Sequence, residues 1–248
     1  MLFNLGASRV VVSDLEIIFV DLDASCALLE AEEARTPRLG AADIVRAARL
    51  AGDRREQQLW RGARIALRVV LERMAGPGIR GVDFEIATGG RPALGAGQPH
   101  FSVSHTDAVA LIAVSRLVPV GVDIERVREL SMNADRRSRI VAAAAGSAPD
   151  VSFDTSSNAD VLRAWVRLEA IAKARGSGIG VVLTEAGVIG DQATQGGDHR
   201  GLSVAALSVP QPYIAAIAAP ELLENITVQT FPSRADELDA FRARSAGQ

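Results

Sequence analysis

The stretch FSVSHTDAVALIAVSRLVPVGVDIE, residues 101 to 125, restricts the fold of this chain more than any other. Its apolar runs at 101–103, 109–115 and 120–125 predict three strands in quick succession, with Pro119 breaking the chain before the third. Ser104 and His105 close the first run, and Asp123 and Glu125 close the last. Side chains on a strand point to alternate faces, so the two carboxylates are predicted on one face, about 6.5 Å apart along the chain. That spacing suits one hard cation.

The rest of the pattern mixes helices with strands. Residues 9–20 are rich in Val and Ile and predict a strand or a pair of short ones, and 26–34 predict a short helix that stops near Pro37. Between 41 and 74, Leu59, Ala63, Ala66, Leu67, Val70 and Leu71 recur at three and four residues. Arg54, Arg55, Arg61, Arg64, Arg68 and Arg73 occupy the intervals, a row that is ordinarily a solvated face, and the pattern predicts a long amphipathic helix split near Gly52 and ended by Gly76-Pro77-Gly78. A strand at 82–87 and the turn Gly89-Gly90-Arg91-Pro92 lead into the central stretch. After it come an arginine-rich helix between 127 and 145, a surface loop at 147–160, a second long helix from 159 to 174, and strands at 180–189, 202–208 and 212–219. The tail beyond Pro232 reads as a short surface helix. Each half therefore holds one long helix and about three strands, an α+β pattern that allows two similar lobes, 1–117 and 118–248, meeting face to face.

Composition removes several function classes. A chain of 248 residues, 48% hydrophobic, can bury a sizeable core. No apolar run approaches the roughly 20 residues of a bilayer span, and the N-terminus lacks a basic segment followed by an apolar core, so a cytoplasmic protein without membrane contact is expected. Cys26 is the single cysteine and cannot form an internal disulfide. His100, His105 and His199 are scattered, with no zinc spacing, so any metal is expected to be oxygen-bound. A formal charge of -3 gives no general attraction for nucleic acid, and a polyanionic ligand would have to be met by a local group of arginines.

Each signal has an ordinary explanation when taken singly. A D-x-E at a strand end is usually a solvated face, and Glu169 with Lys173 one helical turn on is usually a surface pair worth about 0.3 kcal/mol. Taken together and in order, the arginine-rich helix, GGRPAL, FSVSHT, VGVDIE and WVRLEAIAKARGSGI carry a specific resemblance. From about residue 54 to 219 the chain resembles the 4'-phosphopantetheinyl transferases, in the longer form that activates peptide and polyketide synthases. The family pattern G-[IV]-D-[IV]-E followed by W-x-x-K-E-A-x-x-K is present with one departure, Leu168 where the family usually has lysine.

The resemblance implies a pseudo-twofold α+β monomer, each lobe a long helix on a small, mostly antiparallel sheet, with coenzyme A and Mg²⁺ between the lobes. It implies transfer of the phosphopantetheine arm to a serine of an apo acyl or peptidyl carrier protein, with release of adenosine 3',5'-bisphosphate. Carried over by motif, Asp123, Glu125 and Glu169 match the metal-binding acids, and Glu169 also the general base. Lys173 matches the lysine beside the pyrophosphate, and Gly90, Arg91 and Pro92 the turn around the adenine and its phosphates. Ser104 and His105 match a phosphate-holding pair, and Arg55 an arginine at the 3'-phosphate.

The chemistry of these residue types agrees. A coenzyme A site needs several donors, which Arg55, Arg91, His105 and Lys173 supply. Mg²⁺ takes a few carboxylates together with phosphate oxygens. Arg167 or Arg163 is expected to compensate for Leu168, and Arg136-Arg137-Ser138-Arg139 with Met132 and Ile140 to meet an acidic carrier. Two other classes stay open: a non-catalytic coenzyme A or carrier-binding module, and a metal-dependent phosphoesterase.

Overall fold

A strand that is apolar on both faces needs cover on both sides, and three of the described strands are of that kind. The computed structural model describes residues 15–50, 52–86, 89–146, 151–189, 201–220 and 226–244. Strands β1 (Leu15–Asp21), β4 (His100–Thr106) and β5 (Val109–Ser115) form an antiparallel sheet, to which β9 (Val228–Thr230) adds in parallel, in the order β4-β5-β1-β9. Strands β6 (Gly121–Arg126), β7 (Ser203–Leu207) and β8 (Tyr213–Ala219) form a second antiparallel sheet, in the order β6-β8-β7. A two-residue hairpin, β2 (Glu85–Ile86) with β3 (Pro92–Ala93), stands apart.

The two faces of each sheet go to different neighbours. Ile18, Val20, Ala110, Ile112 and Val114 pack under α3 (Arg54–Ala75) and α1 (Leu22–Arg35). Ile17, Phe19, Leu111 and Ala113 meet Val122, Ile124, Ala215 and Ile217 of the second sheet. The far side of that sheet, Ile214, Ala216 and Ala218, packs on α5 (Asn158–Arg175), flanked by α4 (Ala134–Ala145) and α6 (Ile179–Glu185). The layers run helix, sheet, sheet, helix, a mixed α+β architecture. Each buried Ile, Leu, Val or Phe contributes about 1.5–3 kcal/mol, so the doubly covered strands anchor the molecule.

Local chemistry sets the helix ends. Asp53 accepts from the backbone N–H groups of Arg55 and Glu56, both at 2.9 Å, so the expected break near Gly52 separates α2 (Ala41–Arg49) from α3. Ser157 caps α5 by accepting from the Asp160 N–H at 3.3 Å, and Gly176 ends it. No described helix is long and apolar enough to cross a membrane.

Four expectations change. Residues 179–185 form α6 rather than a strand: Val182 and Leu183 are consecutive and both buried, which a one-sided strand does not allow. The tail is no surface helix, because α7 (Ala235–Ala243) buries Leu238 and Phe241 in the first core, with Phe241 against Phe231 and the Arg73 guanidinium over its ring at 3.9 Å. With β9 beside β1, the chain returns to the first sheet, so the division at residue 118 does not hold to the C-terminus. The arginines of α3 are not a solvated row. Arg68 is 1% exposed and holds Asp43 of α2 at 2.6 and 3.0 Å, Arg73 pairs with Glu16, and Arg61 reaches Glu30 at 2.7 Å. The first part of the 9–20 strand and the end of the 82–87 strand lie outside the described residues.

Gly121 decides how closely β6 lies on α5. A Cβ there would fall 2.0 Å from the Ala170 carbonyl oxygen and 2.4 Å from the Ala174 nitrogen, both backbone atoms that cannot turn aside. Gly121→Ala is expected to lower the denaturation midpoint by the equivalent of about 3 kcal/mol or more, whereas Gly52→Ala, with nothing within 4 Å, serves as the near-neutral control.

Candidate functional site

The close approach at Gly121 brings the next residues of its face, Asp123 and Glu125, against α5, which carries Glu169 and Lys173 one turn apart. Asp123 is 5% exposed. Its Oδ1 accepts from Ser104 Oγ at 2.6 Å and from Lys173 Nζ at 2.8 Å, while its Oδ2 is buried with no hydrogen-bond partner. Glu125 is held at 2.6 Å by Arg128. Glu169 has its proton affinity raised, first by burial and then by the charge of Asp123; Lys173 offsets part of this and Glu125 adds to it.

Beside these groups a cleft of about 250 Å³ opens between β4, the turn at 89–92 and the end of α5. Its walls include Gly90, Arg91, Pro92, Glu169, Lys173 and Ser177. The turn meets the loop after α5 so closely that a Cβ on Gly89, whose φ is +93°, would sit 2.0 Å from the Gly176 carbonyl oxygen. Arg91 fastens the same seam. Its guanidinium donates to the carbonyls of Ala174 at 3.2 Å, Phe101 at 3.2 Å and Val120 at 3.3 Å, and burial lowers its pKa.

The predicted residues are therefore gathered unevenly. Asp123, Glu125, Glu169 and Lys173 come together, and Gly90, Arg91 and Pro92 share the cleft with the last two. Ser104 and His105, neighbours on β4, face opposite ways. Ser104 points at Asp123. His105 is open to solvent on one side yet crowded on the other, and the crowding, then the Lys173 and Arg64 charges, lowers its pKa against a small opposing effect of Glu56. Arg55 is exposed at the start of α3, paired with Asp23, and is not among the cleft walls.

Leu168 is fully buried in the second core, so its position faces inward. Neither expected substitute reaches the cleft: Arg163 pairs with Asp160, and Arg167 lies 5.8 Å from the Phe153 ring with Nη1 buried and without a partner. Sequence reasoning also missed a cleft residue. Ser177 Oγ is buried there without a hydrogen-bond partner, and its only advance signal is a hydroxyl set between the glycines of Gly176-Ser177-Gly178 just past a helix end.

Compared with known proteins, the chain matches no family model. No curated protein matches it significantly in sequence. The site is therefore weighed on its own chemistry. Among the described residues, no three Asp, Glu, His or Cys side chains stand close enough together to hold a metal ion. The donor types nevertheless suit a hard divalent cation: Asp123 Oδ2 is a buried acceptor without a partner, and the charges of Asp123, Glu125 and Lys173 all bear on Glu169.

The raised proton affinity of Glu169 has a thermodynamic sign. The folded chain binds that proton more tightly than the unfolded chain, so stability is lost as pH rises above the ordinary carboxylate value of 4.5. Glu169→Gln removes the repulsion. It is expected to melt at a higher temperature than the wild type at pH 7 in metal-free buffer, with the difference vanishing below pH 4.5, as read by calorimetry.

Proposed function

We propose that this protein is a phosphopantetheinyl transferase that uses coenzyme A to modify a serine hydroxyl of an apo carrier protein. What supports this most is one convergence: Glu169 and Lys173 on α5 share a cleft with the Gly90-Arg91-Pro92 turn, and Asp123 and Glu125 on β6 lie close enough behind it for their charges to bear on Glu169. These are the residues that the family resemblance singles out. The pseudo-twofold arrangement of two lobes belongs to the same proposal; it is supported by two sheets that each carry one long helix on the outer face.

The residues divide the work as follows. Lys173, Arg91 and Ser177 line the cleft as donors for a diphosphate, and charge-assisted bonds of this kind are short and directional. Asp123, Glu125 and Glu169 would hold Mg²⁺, which when bound neutralises charge on the phosphate oxygens. Glu169, on the cleft wall, accepts the serine proton directly or through a water molecule as the serine oxygen bonds to the β-phosphorus. The bond from that phosphorus to the oxygen of adenosine 3',5'-bisphosphate breaks, and Lys173 stabilises the departing phosphate.

A second groove, of about 230 Å³, begins at Glu125 and runs between α4 and α5, walled by Leu130, Met132, Ile140, Leu162 and Trp165 and edged by Arg128 and Arg136. It is the surface we assign to the acidic carrier. The arginine patch expected from sequence is narrowed by its contacts. Arg137 donates to the carbonyls of Leu130, Met132 and Thr155 and to Asn158, and Arg139 pairs with Asp135 at 3.0 Å, so Arg136 is the residue left facing the groove.

Incubation with coenzyme A, Mg²⁺ and an apo carrier domain is expected to add about 340 Da to the carrier on intact mass, and Glu169→Gln or Asp123→Asn to slow the addition by about 100-fold or more. An unchanged carrier mass would indicate a binding module, and coenzyme A cleavage without labelling a phosphoesterase. Arg136→Glu is expected to raise KM for the carrier several-fold and to leave KM for coenzyme A unchanged.

A further inference from the structure

Lys173 is the only lysine among 248 residues, whereas the other 26 of the 27 basic residues are arginine. A chain that uses arginine for every other cation has an ammonium at the one point where a cation touches the buried Asp123. The two side chains differ physically. Arginine binds a carboxylate through a rigid two-pronged fork, and lysine binds it as a point charge on a flexible stem. Lys173 Nζ reaches only Oδ1 of Asp123, at 2.8 Å, and Ser104 holds the same oxygen at 2.6 Å. The stem is 29% exposed and lies along the cleft wall.

We infer that Lys173 is a displaceable latch on Asp123: a divalent cation arriving at this carboxylate drives the ammonium off, and the freed ammonium turns into the cleft to meet the diphosphate. This rests on the proposed cation and phosphate site and adds to it an order of events. Both cations draw on one carboxylate, and like charges a few ångström apart repel, so the arrival of the divalent ion weakens the hold of the singly charged ammonium. Ser104 is then a positioning residue. It bonds Oδ1 and leaves the buried Oδ2 without a hydrogen-bond partner. Once released, Lys173 has Glu169 one turn back and the Ser177 hydroxyl along the same wall, and an anion in the cleft gives it a new partner. Cation and diphosphate should therefore favour each other's binding, by the same factor in either direction.

The lone lysine also makes the test clean. Mn²⁺ binding is measured without any phosphate compound, by counting free Mn²⁺ in electron paramagnetic resonance, for the wild type, Lys173→Met and Lys173→Arg. The latch predicts binding at least about tenfold tighter in Lys173→Met, where no ammonium competes, and weaker than wild type in Lys173→Arg, where the fork is harder to displace. Equal or weaker binding in Lys173→Met overturns the latch, and no Mn²⁺ binding by any of the three proteins overturns the cation site itself. The unmutated protein gives a second readout that no folding defect can disturb. Reductive ¹³C-methylation marks Lys173 as the one side-chain signal, which should move on Mg²⁺ addition and move again with coenzyme A; a signal that stays in place while Mg²⁺ binds overturns the proposal.

Discussion

An ionised carboxylate at the seam of two sheets is costly unless its charge is answered, and the site is organised around that fact. Asp123 is nearly buried, on the edge strand of one sheet, and its two partners come from elsewhere: Ser104 from the edge strand of the other sheet and Lys173 from the helix beneath. The backbone is stitched at the same place, where the Val122 N–H donates to Ser102 Oγ at 3.1 Å. Removing Ser104 or Lys173 strips the buried carboxylate of one of its two donors, and removing Asp123 takes the acceptor from the buried Ser104 hydroxyl. The seam between the layers and the candidate site are therefore one structure.

The close packing that permits this depends on absent side chains. Gly121 lets β6 lie directly on the α5 backbone, and Gly89 lets the 89–92 turn touch the end of that helix. Arg91 then locks turn, strand and helix through three carbonyls. A residue expected to grip a ligand is in large part a fastener of the cleft it lines, and its remaining N–H groups are what a phosphate would meet.

How much of this was legible in the chain can be judged element by element. The break at Gly52, the three strands of the central stretch and the second long helix were readable because caps, breakers and apolar periodicity are local properties. The 180–189 segment was misread because a short apolar run does not distinguish strand from helix by itself, and packing against α5 settled it. The tail was misread because two apolar residues, Leu238 and Phe241, are too few to announce a core contact. The opposite facing of Ser104 and His105 was available from strand periodicity alone. It was obscured because the family resemblance treats the two as a pair.

The sequence by itself determined the α+β content, the shared face of Asp123 and Glu125, the one-turn spacing of Glu169 and Lys173, and, with one cysteine, the lack of an internal disulfide. Only the tertiary structure decided which charges are used up inside the fold. It directed Arg61, Arg68 and Arg73 to carboxylates of neighbouring elements, left Arg55 on Asp23, turned Arg167 away from the cleft, and brought Ser177 into it. The physical reason is one of range. Periodicity and capping act within a few residues, whereas the partner of a charge depends on which faces meet once the layers close, and that meeting was set by residues as remote as Gly121 and Ala170.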